Sequence, residues 1–187
     1  MTKTKRIIGL SCGRKNGNSE ILLKEALMGA EELGVASEII RAMELRVKPC
    51  TGCESCSIAM SRGKEARCAI KDDDVPWILE KTLVEDCGLI VSGPVYHLRA
   101  NSYFEMIHER MLPTIFRHPE VLKKTMVGAI ISVGGGEPEW TPLGITSMNI
   151  FVQHSRILVD QMQANYVGRP GAVLTQEKYL KRARELG

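Results

Sequence analysis

The feature that most constrains this chain is a regular alternation of short apolar segments with segments of helical periodicity. Each apolar segment is rich in β-branched residues and ends near glycine, proline or small polar residues, which is typical of a buried strand. The five predicted strands span residues 5–11, 35–42, 87–94, 125–133 and 156–162. Predicted helices begin near Ser19, cover 72–83, 102–112 and 141–155, and end with a helix capped by Thr175. This alternation predicts an α/β fold, a doubly wound, five-stranded parallel sheet.

The composition fits a single globular domain covering residues 1–187, with 44% hydrophobic and 25% charged residues and a net charge of +3. No basic stripe with interleaved aromatic residues is present, so nucleic-acid binding is not expected. No apolar run approaches the roughly 18 residues of a membrane span, and the N-terminus lacks a signal-peptide pattern. We therefore expect a cytoplasmic protein, not bound to a membrane, whose cysteines are kept reduced.

Three loops of unusual composition follow predicted strands, at residues 11–19, 94–102 and 134–140. Because ligands of such sheets bind beyond the carboxyl ends of the strands, we expect these loops to meet at one ligand. The first loop, S-C-G-R-K-N-G-N-S, combines glycines, small polar residues and two cations just before a helix. It predicts a phosphate-binding cradle at the helix N-terminus, with an ordinary strand-to-helix turn as the alternative. Neither G-x-x-x-x-G-K-[ST] nor G-x-G-x-x-G is present, which disfavours nucleoside triphosphates and Rossmann-type dinucleotides.

The other two loops suit a flat heterocyclic ligand. Pro94 and Val95 form a stiff apolar ledge with Tyr96 at its edge, although core packing of the tyrosine is an alternative. The third loop, G-G-G-E-P-E-W, allows the backbone to approach a ligand closely, although a flexible surface turn would have the same composition.

Residues 43–72 show no clear periodicity and hold four of the six cysteines. Cys50, Cys53 and Cys56 are spaced as in bacterial ferredoxins, whose thiolates bind a [4Fe–4S] cluster, and Cys68 is the obvious fourth ligand. A four-cysteine zinc site and redox-active thiols are the alternatives, although one C-x2-C-x2-C run fits structural zinc poorly. The acidic triplet 72–74 is interpreted as the negatively charged start of the next helix.

Together, S-C-G-R-K-N-G-N-S, S-G-P-V-Y (92–96) and the glycine run from 134 resemble the NADPH-dependent FMN reductase family of flavodoxin-like proteins. P-C-T-G-C-E-S-C (49–56) with C-A-I-K-D-D-D (68–74) resembles its iron–sulfur flavoprotein branch. The resemblance implies that the FMN phosphate is held by Ser11, Arg14, Asn16, Gly17, Asn18 and Ser19. It implies that the isoalloxazine is lined by Pro94, Val95, Tyr96 and His97, with Gly134, Gly135 and Gly136 opposite.

The same resemblance makes 46–72, an excursion after the second strand, the loop that binds the cluster through Cys50, Cys53, Cys56 and Cys68. Here the sequence departs from the family, because eleven residues separate Cys56 from Cys68, more than in the compact family pattern. The insertion S-I-A-M-S-R-G-K-E-A-R must therefore bulge outward.

The function implied by this resemblance is electron transfer between FMN and a [4Fe–4S] cluster. One alternative is an NAD(P)H-dependent FMN or quinone reductase with direct hydride transfer to FMN, and another is a zinc-stabilised or thiol-based redox sensor without turnover. The expected partner is a redox donor such as ferredoxin or NAD(P)H. We also expect a homodimer or a higher homo-oligomer, because most soluble oligomers are symmetric.

Overall fold

The computed structural model describes residues 5–139 and 141–187. Trp140, at the end of the third predicted loop, and residues 1–4 of the predicted domain lie outside this description. Strands β1 to β6 span Arg6–Ser11, Ala36–Arg41, Gly88–Tyr96, Arg99–Ala100, Met126–Val133 and Arg156–Ala164. Helices α1 to α7 span Asn18–Glu32, Ser55–Ser61, Val75–Leu79, Ser102–His108, Leu112–Arg117, Thr141–Ser155 and Glu177–Leu186.

The five long strands form one parallel sheet in the order β2-β1-β3-β5-β6, and the two-residue strand β4 pairs antiparallel with the end of β3. Counting only the long strands, this is the 2-1-3-4-5 order of flavodoxin-like folds. The predicted five-stranded, doubly wound sheet is therefore confirmed, with β4 as a small addition.

Alternate residues of the central strands pack on opposite faces of the sheet. Leu89 and Val91 of β3 belong to the core under α3, α4 and α6, whereas Ile90 between them belongs to the core under α1 and α7. Both faces of the sheet are covered at its centre, so β1, β3 and β5 are mostly apolar, whereas the edge strands β2 and β6 also carry polar residues. This explains why the central strands could be predicted from continuous apolar runs.

Three local predictions were wrong. The helix predicted near 102–112 ends at His108, and a separate helix, α5, begins at Leu112 with Pro113 in its first turn, where the missing N–H of proline is tolerated. Thr175 does not cap α7, since its hydroxyl donates to the Ala172 carbonyl at 3.0 Å and Gln176 precedes the helix. The stretch 43–72 contains an unpredicted helix, α2.

The part of the chain described, residues 5–139 and 141–187, holds no helix with both the length and the apolar character needed to cross a bilayer.

Candidate cofactor sites

A cavity of about 210 Å³ lies at the carboxyl edge of the sheet, where four loops meet. Three of them are the predicted loops, and the fourth follows β6. The residues that line it are Gly13, Arg14, Gly17, Asn18, Ser19, Pro94, Val95, Tyr96, Val133, Gly134, Gly135, Val167, Gly168 and Pro170. The structure therefore brings together four of the six residues predicted for the phosphate with residues predicted to line the heterocycle.

The N-terminus of α1 supplies the electrostatics of this cavity. The helix has 15 residues and begins at Asn18, so the N–H groups of its first turn and its positive dipole end lie at the cavity wall. Glu20 in that turn is buried but pairs with Lys24 at 2.8 Å and Arg41 at 3.2 Å. Burial alone would raise the pKa of Glu20, but these hydrogen bonds outweigh it and hold the pKa below its ordinary value. The negative charge of Glu20 is therefore balanced by Lys24 and Arg41 and does not oppose the binding of a phosphate at the helix N-terminus.

Asn18 has a role that sequence reasoning missed. Its side-chain amide donates to the carbonyls of Val167 and of Arg169, the latter at 2.7 Å, and its oxygen accepts from the Val173 N–H at 3.2 Å. The carboxamide is therefore committed to the loop after β6, and only the backbone of Asn18 is left for a phosphate. The glycine- and proline-rich stretch G-R-P-G at 168–171 marks this segment as a loop beyond the fifth predicted strand, but it does not indicate a contact with Asn18.

Two other residues predicted for the phosphate, Ser11 and Asn16, do not line the cavity. The Ser11 hydroxyl is buried at the end of β1 and finds no hydrogen-bond partner among the described residues. Asn16 adopts a left-handed conformation with φ of 55° and accepts a hydrogen bond from Lys24 at 3.0 Å. Asn16 therefore shapes the turn before α1.

A second cavity, of about 450 Å³, adjoins the first and shares Val95, Gly134 and Gly135 with it. It also contains His97, Leu98, Gly136, Glu137 and Thr141. Its size and its place beside the ledge fit the ring system predicted for this side of the site. The backbones of Gly135 and Gly168 pack so closely that a Cβ on Gly135 would lie 2.9 Å from the Gly168 Cα. Glycine is therefore required at 135.

The ledge ends in a tight hairpin. Val95 pairs with Ala100 and Tyr96 with Arg99, so that His97 and Leu98 form a two-residue turn with φ of 50° and 67°. Two consecutive positive φ values suit asparagine and glycine in such turns, and a bulky residue there is strained. These two strained residues both line the second cavity.

The four predicted cluster ligands surround a third cavity, of about 180 Å³. Cys50, Cys53, Cys56 and Cys68 all line it, together with residues at the junction of α4 and α5. Gly52 and Glu54 flank Cys53 with φ of 64° and 55°, and these two left-handed residues turn the chain around the cavity. Hydrogen bonds with Ser55 and Thr51 lower the pKa of the Cys53 thiol below its ordinary value, which favours the thiolate needed for metal binding.

The insertion between Cys56 and Cys68 bulges outward, as predicted. It forms the rest of α2 and a turn closed by a hydrogen bond from the Lys64 N–H to the Ala59 carbonyl at 2.9 Å. Cys68 returns to the cavity despite the insertion.

The acidic triplet holds the two ends of the cysteine excursion together, rather than simply starting a helix. Asp74 accepts from the Arg46 N–H at 2.7 Å and donates its own N–H to the Arg46 carbonyl at 2.8 Å. Asp73 accepts from the Lys48 N–H at 3.0 Å, and Asp72 pairs with the Lys48 amine. The interpretation of the triplet as a dipole-complementing helix start was therefore incomplete, because its partners lie about 25 residues earlier in the chain.

The four predicted ligands share one cavity. Within residues 5–139 and 141–187, no three histidine, cysteine or acidic side chains converge closely enough to hold a single metal ion. The two other cysteines lie apart from this cavity. Cys12 is a buried residue of the loop 11–19, and its burial, followed by the charge of Glu105, raises the pKa of its thiol. Cys87 is buried just before β3.

The chain was compared with known proteins. No model of a known protein family matches it. An iron–sulfur flavoprotein of Methanocaldococcus jannaschii is 30% identical over 191 residues, which cover 97% of this chain and 93% of that protein. An iron–sulfur flavoprotein of Methanosarcina thermophila is 30% identical over 131 residues, covering 70% of this chain and 63% of that protein.

Among solved structures, a flavone reductase has a TM-score of 0.73 at 22% identity, covering 97% of this chain and 60% of that one. An FMN-dependent NADH-azoreductase from Bacillus anthracis, solved with FMN, has a TM-score of 0.65 at 11% identity and covers 97% of each chain. At these identities the two structures show the fold alone.

The sheet order, with cavities at the carboxyl edge of the sheet, defines a protein of the flavodoxin-like class. Within that class, the chain belongs to the iron–sulfur flavoprotein family, because it matches a member over nearly its whole length. The resemblance predicted from the sequence is confirmed, and flavin and iron–sulfur cofactors are those that the family name specifies.

Proposed function

We propose that the protein passes electrons between FMN, bound at the carboxyl edge of the sheet, and a [4Fe–4S] cluster bound by residues 46–72 of a single domain. The observation that carries the proposal is that Cys50, Cys53, Cys56 and Cys68 line one cavity despite the long insertion before Cys68. FMN would supply one- or two-electron chemistry and the cluster one-electron chemistry.

In the flavin site, the phosphate is held by Arg14, by the Ser19 hydroxyl and by the N–H groups that begin α1. Residues 94–97 and 134–136 line the two adjoining cavities and would hold the ring system between them. These residues bind, orient and exclude water. Electron transfer itself needs no general acid or base, and any proton that reduced FMN takes up would come from solvent.

Helix α4 joins the two sites. At its N-terminal end the Asn101 amide donates to the Cys12 carbonyl in the phosphate loop, and just beyond its C-terminal end Arg110 lines the cysteine cavity. A helix of 7 residues is roughly 10 Å long, so one chain can hold both cofactors near the two ends of this helix.

The proposed electron donor is a ferredoxin or NAD(P)H, in a reducing cytoplasm that keeps the four thiols free. We further propose a homodimer, because Ile58 and Met60 of α2 expose apolar side chains beside the cysteine cavity. Sedimentation of the purified protein tests this, since a monomer at all concentrations would contradict it.

A second candidate function is direct reduction of FMN by NAD(P)H. It is favoured by a cavity of about 590 Å³ that continues from the flavin side at His97 and Leu98 and contains Arg99, a cation suited to an anionic nucleotide. NAD(P)H oxidation that survives removal of iron would favour this function over transfer through the cluster.

The test is anaerobic purification followed by iron, sulfide and flavin analysis. We expect FMN, and about four irons and four sulfides per chain. Cys50→Ala, Cys53→Ala, Cys56→Ala and Cys68→Ala should each lose the full cluster and keep FMN, because the flavin cavity shares no residue with the cysteine cavity. Cys12→Ala and Cys87→Ala are matched controls that should keep the iron. Zinc without sulfide in the wild-type protein would refute electron transfer and favour a zinc-stabilised protein.

A further inference from the structure

Arg110 is a buried cation at the edge of the cysteine cavity. Arg110 follows α4 and is 2% exposed. It forms a bidentate salt bridge with Asp73, in which Nη2 lies 3.0 Å from Asp73 Oδ1. Of the side chains described as lining that cavity, Arg110 is the one with a positive charge, whereas Glu54 and Glu109 are negative.

The same guanidinium contacts both ends of the cysteine excursion. It donates to the Lys48 carbonyl at 3.0 Å, two residues before Cys50, and to the Ile70 carbonyl at 3.3 Å, two residues after Cys68. Arg110 therefore fixes the segment that carries the fourth cysteine relative to the segment that carries the first.

Not all of the hydrogen-bonding capacity of Arg110 is used. Its Nε is buried and has no hydrogen-bond partner among the described residues. Arg110 and Cys68 line the same cavity, so the guanidinium lies beside the segment that carries the fourth cysteine.

We propose that Arg110 is a positioning residue of the cluster, which holds the segment that carries Cys68 at the cavity and places a positive charge beside the cysteine thiolates, raising the reduction potential. This rests on the proposed cluster ligands. Four thiolates give the site a negative charge that increases by one on reduction, so a buried cation beside one of them stabilises the reduced form. Net charge and hydrogen bonds to the sulfurs are the features by which proteins adjust such potentials.

The test compares the midpoint potential of the cluster, measured by anaerobic redox titration, in the wild-type protein and in Arg110→Gln. We expect the potential to fall by at least about 59 mV, which is a tenfold loss in the equilibrium constant for one electron. Arg110→Lys keeps the charge and should recover most of the potential. Arg117→Gln is the matched control, because Arg117 also pairs with an acid, Glu80 at 2.6 Å, but does not line the cysteine cavity.

A single change could leave Asp73 as a lone buried charge, so the double variant Arg110→Met with Asp73→Leu removes both charges together. Its potential should also fall. Loss of iron in both charge-removing variants, with full iron in Arg110→Lys and Arg117→Gln, would equally support the assignment. A wild-type potential in any loaded charge-removing variant, or an equal effect of Arg117→Gln, would overturn it. Wild-type protein that binds no cluster would instead refute the proposed function.

Discussion

The side chain of Asn18 offers the sharpest test of how the flavin cavity is built. The sequence assigns it to the phosphate, whereas the structure assigns it to three backbone groups of residues 167–173. Asn18→Ala would leave two carbonyls and one N–H without their partners. At about 1 kcal/mol per hydrogen bond, the free energy of unfolding should fall by about 3 kcal/mol. That is a large part of the 5–15 kcal/mol that typically stabilises a domain.

The assay is urea unfolding of the FMN-free protein, which isolates stability from ligand binding. Ser19→Ala is the matched control, because Ser19 lines the same cavity one residue later. It should lower the free energy of unfolding by no more than about 1 kcal/mol, because it removes at most one hydrogen bond. It should nevertheless raise the dissociation constant of FMN roughly 10- to 150-fold, as expected for a lost hydrogen bond to a charged group.

Asn18→Asp separates the two roles further. The carboxylate can still accept from the Val173 N–H, but it cannot donate to the Val167 and Arg169 carbonyls and would be repelled by them. We therefore expect it to be at least as destabilising as Asn18→Ala. The reasoning is refuted if Asn18→Ala leaves the FMN-free protein as stable as wild type while weakening FMN binding as Ser19→Ala does.

Three further outcomes are expected from unfolding measurements. Because the pKa of Glu20 is lowered in the folded protein, its ion pairs stabilise the fold above the unfolded pKa, about 4.3, and this stabilisation is lost as pH falls through the folded pKa. Glu20→Gln should therefore lower the free energy of unfolding by about 2 kcal/mol at pH 7 and by progressively less below pH 4.3. A constant difference from wild type at all pH values would contradict this reasoning. Arg156 is buried and donates to the Leu83, Glu85 and Cys87 carbonyls, so Arg156→Met should cost about 3 kcal/mol, and a change under about 1 kcal/mol would argue against that role. Leu98→Gly should stabilise the FMN-free protein by about 0.5 to 1 kcal/mol by relieving its left-handed conformation, and destabilisation would show that its side-chain packing matters more.

The sheet could be predicted from the sequence because its signals are local. The central parallel strands are nearly continuous apolar runs, and all five predicted strands agree with the structure to within two residues at both ends. Strands β3 and β6 each continue two residues further than predicted. The loops at the carboxyl edge were recognisable for the same reason, since glycine, proline and small polar residues act on the backbone beside them.

Side-chain roles could not be predicted in the same way, because they depend on partners that are distant in sequence. Asn18 contacts a carbonyl 149 residues later, and Asp73 contacts an arginine 37 residues later. A small polar residue before a helix and an acid before a helix have strong local explanations, phosphate binding and the helix dipole. The sequence contained nothing that would favour the distant partner over the local one.

The closed base of the cysteine excursion explains how the long insertion can coexist with a four-cysteine site. Arg46 and Asp74 are joined by backbone hydrogen bonding, and the Asp73–Arg110 pair lies just inside that junction. Segments 46–48 and 70–74 are therefore fixed to each other independently of the chain between Cys56 and Cys68. Closing a longer loop on fixed ends adds only about 0.6 kcal/mol for each doubling of its length. The insertion can thus vary while Cys68 keeps its place, so the departure from the compact family spacing does not count against Cys68 as a ligand.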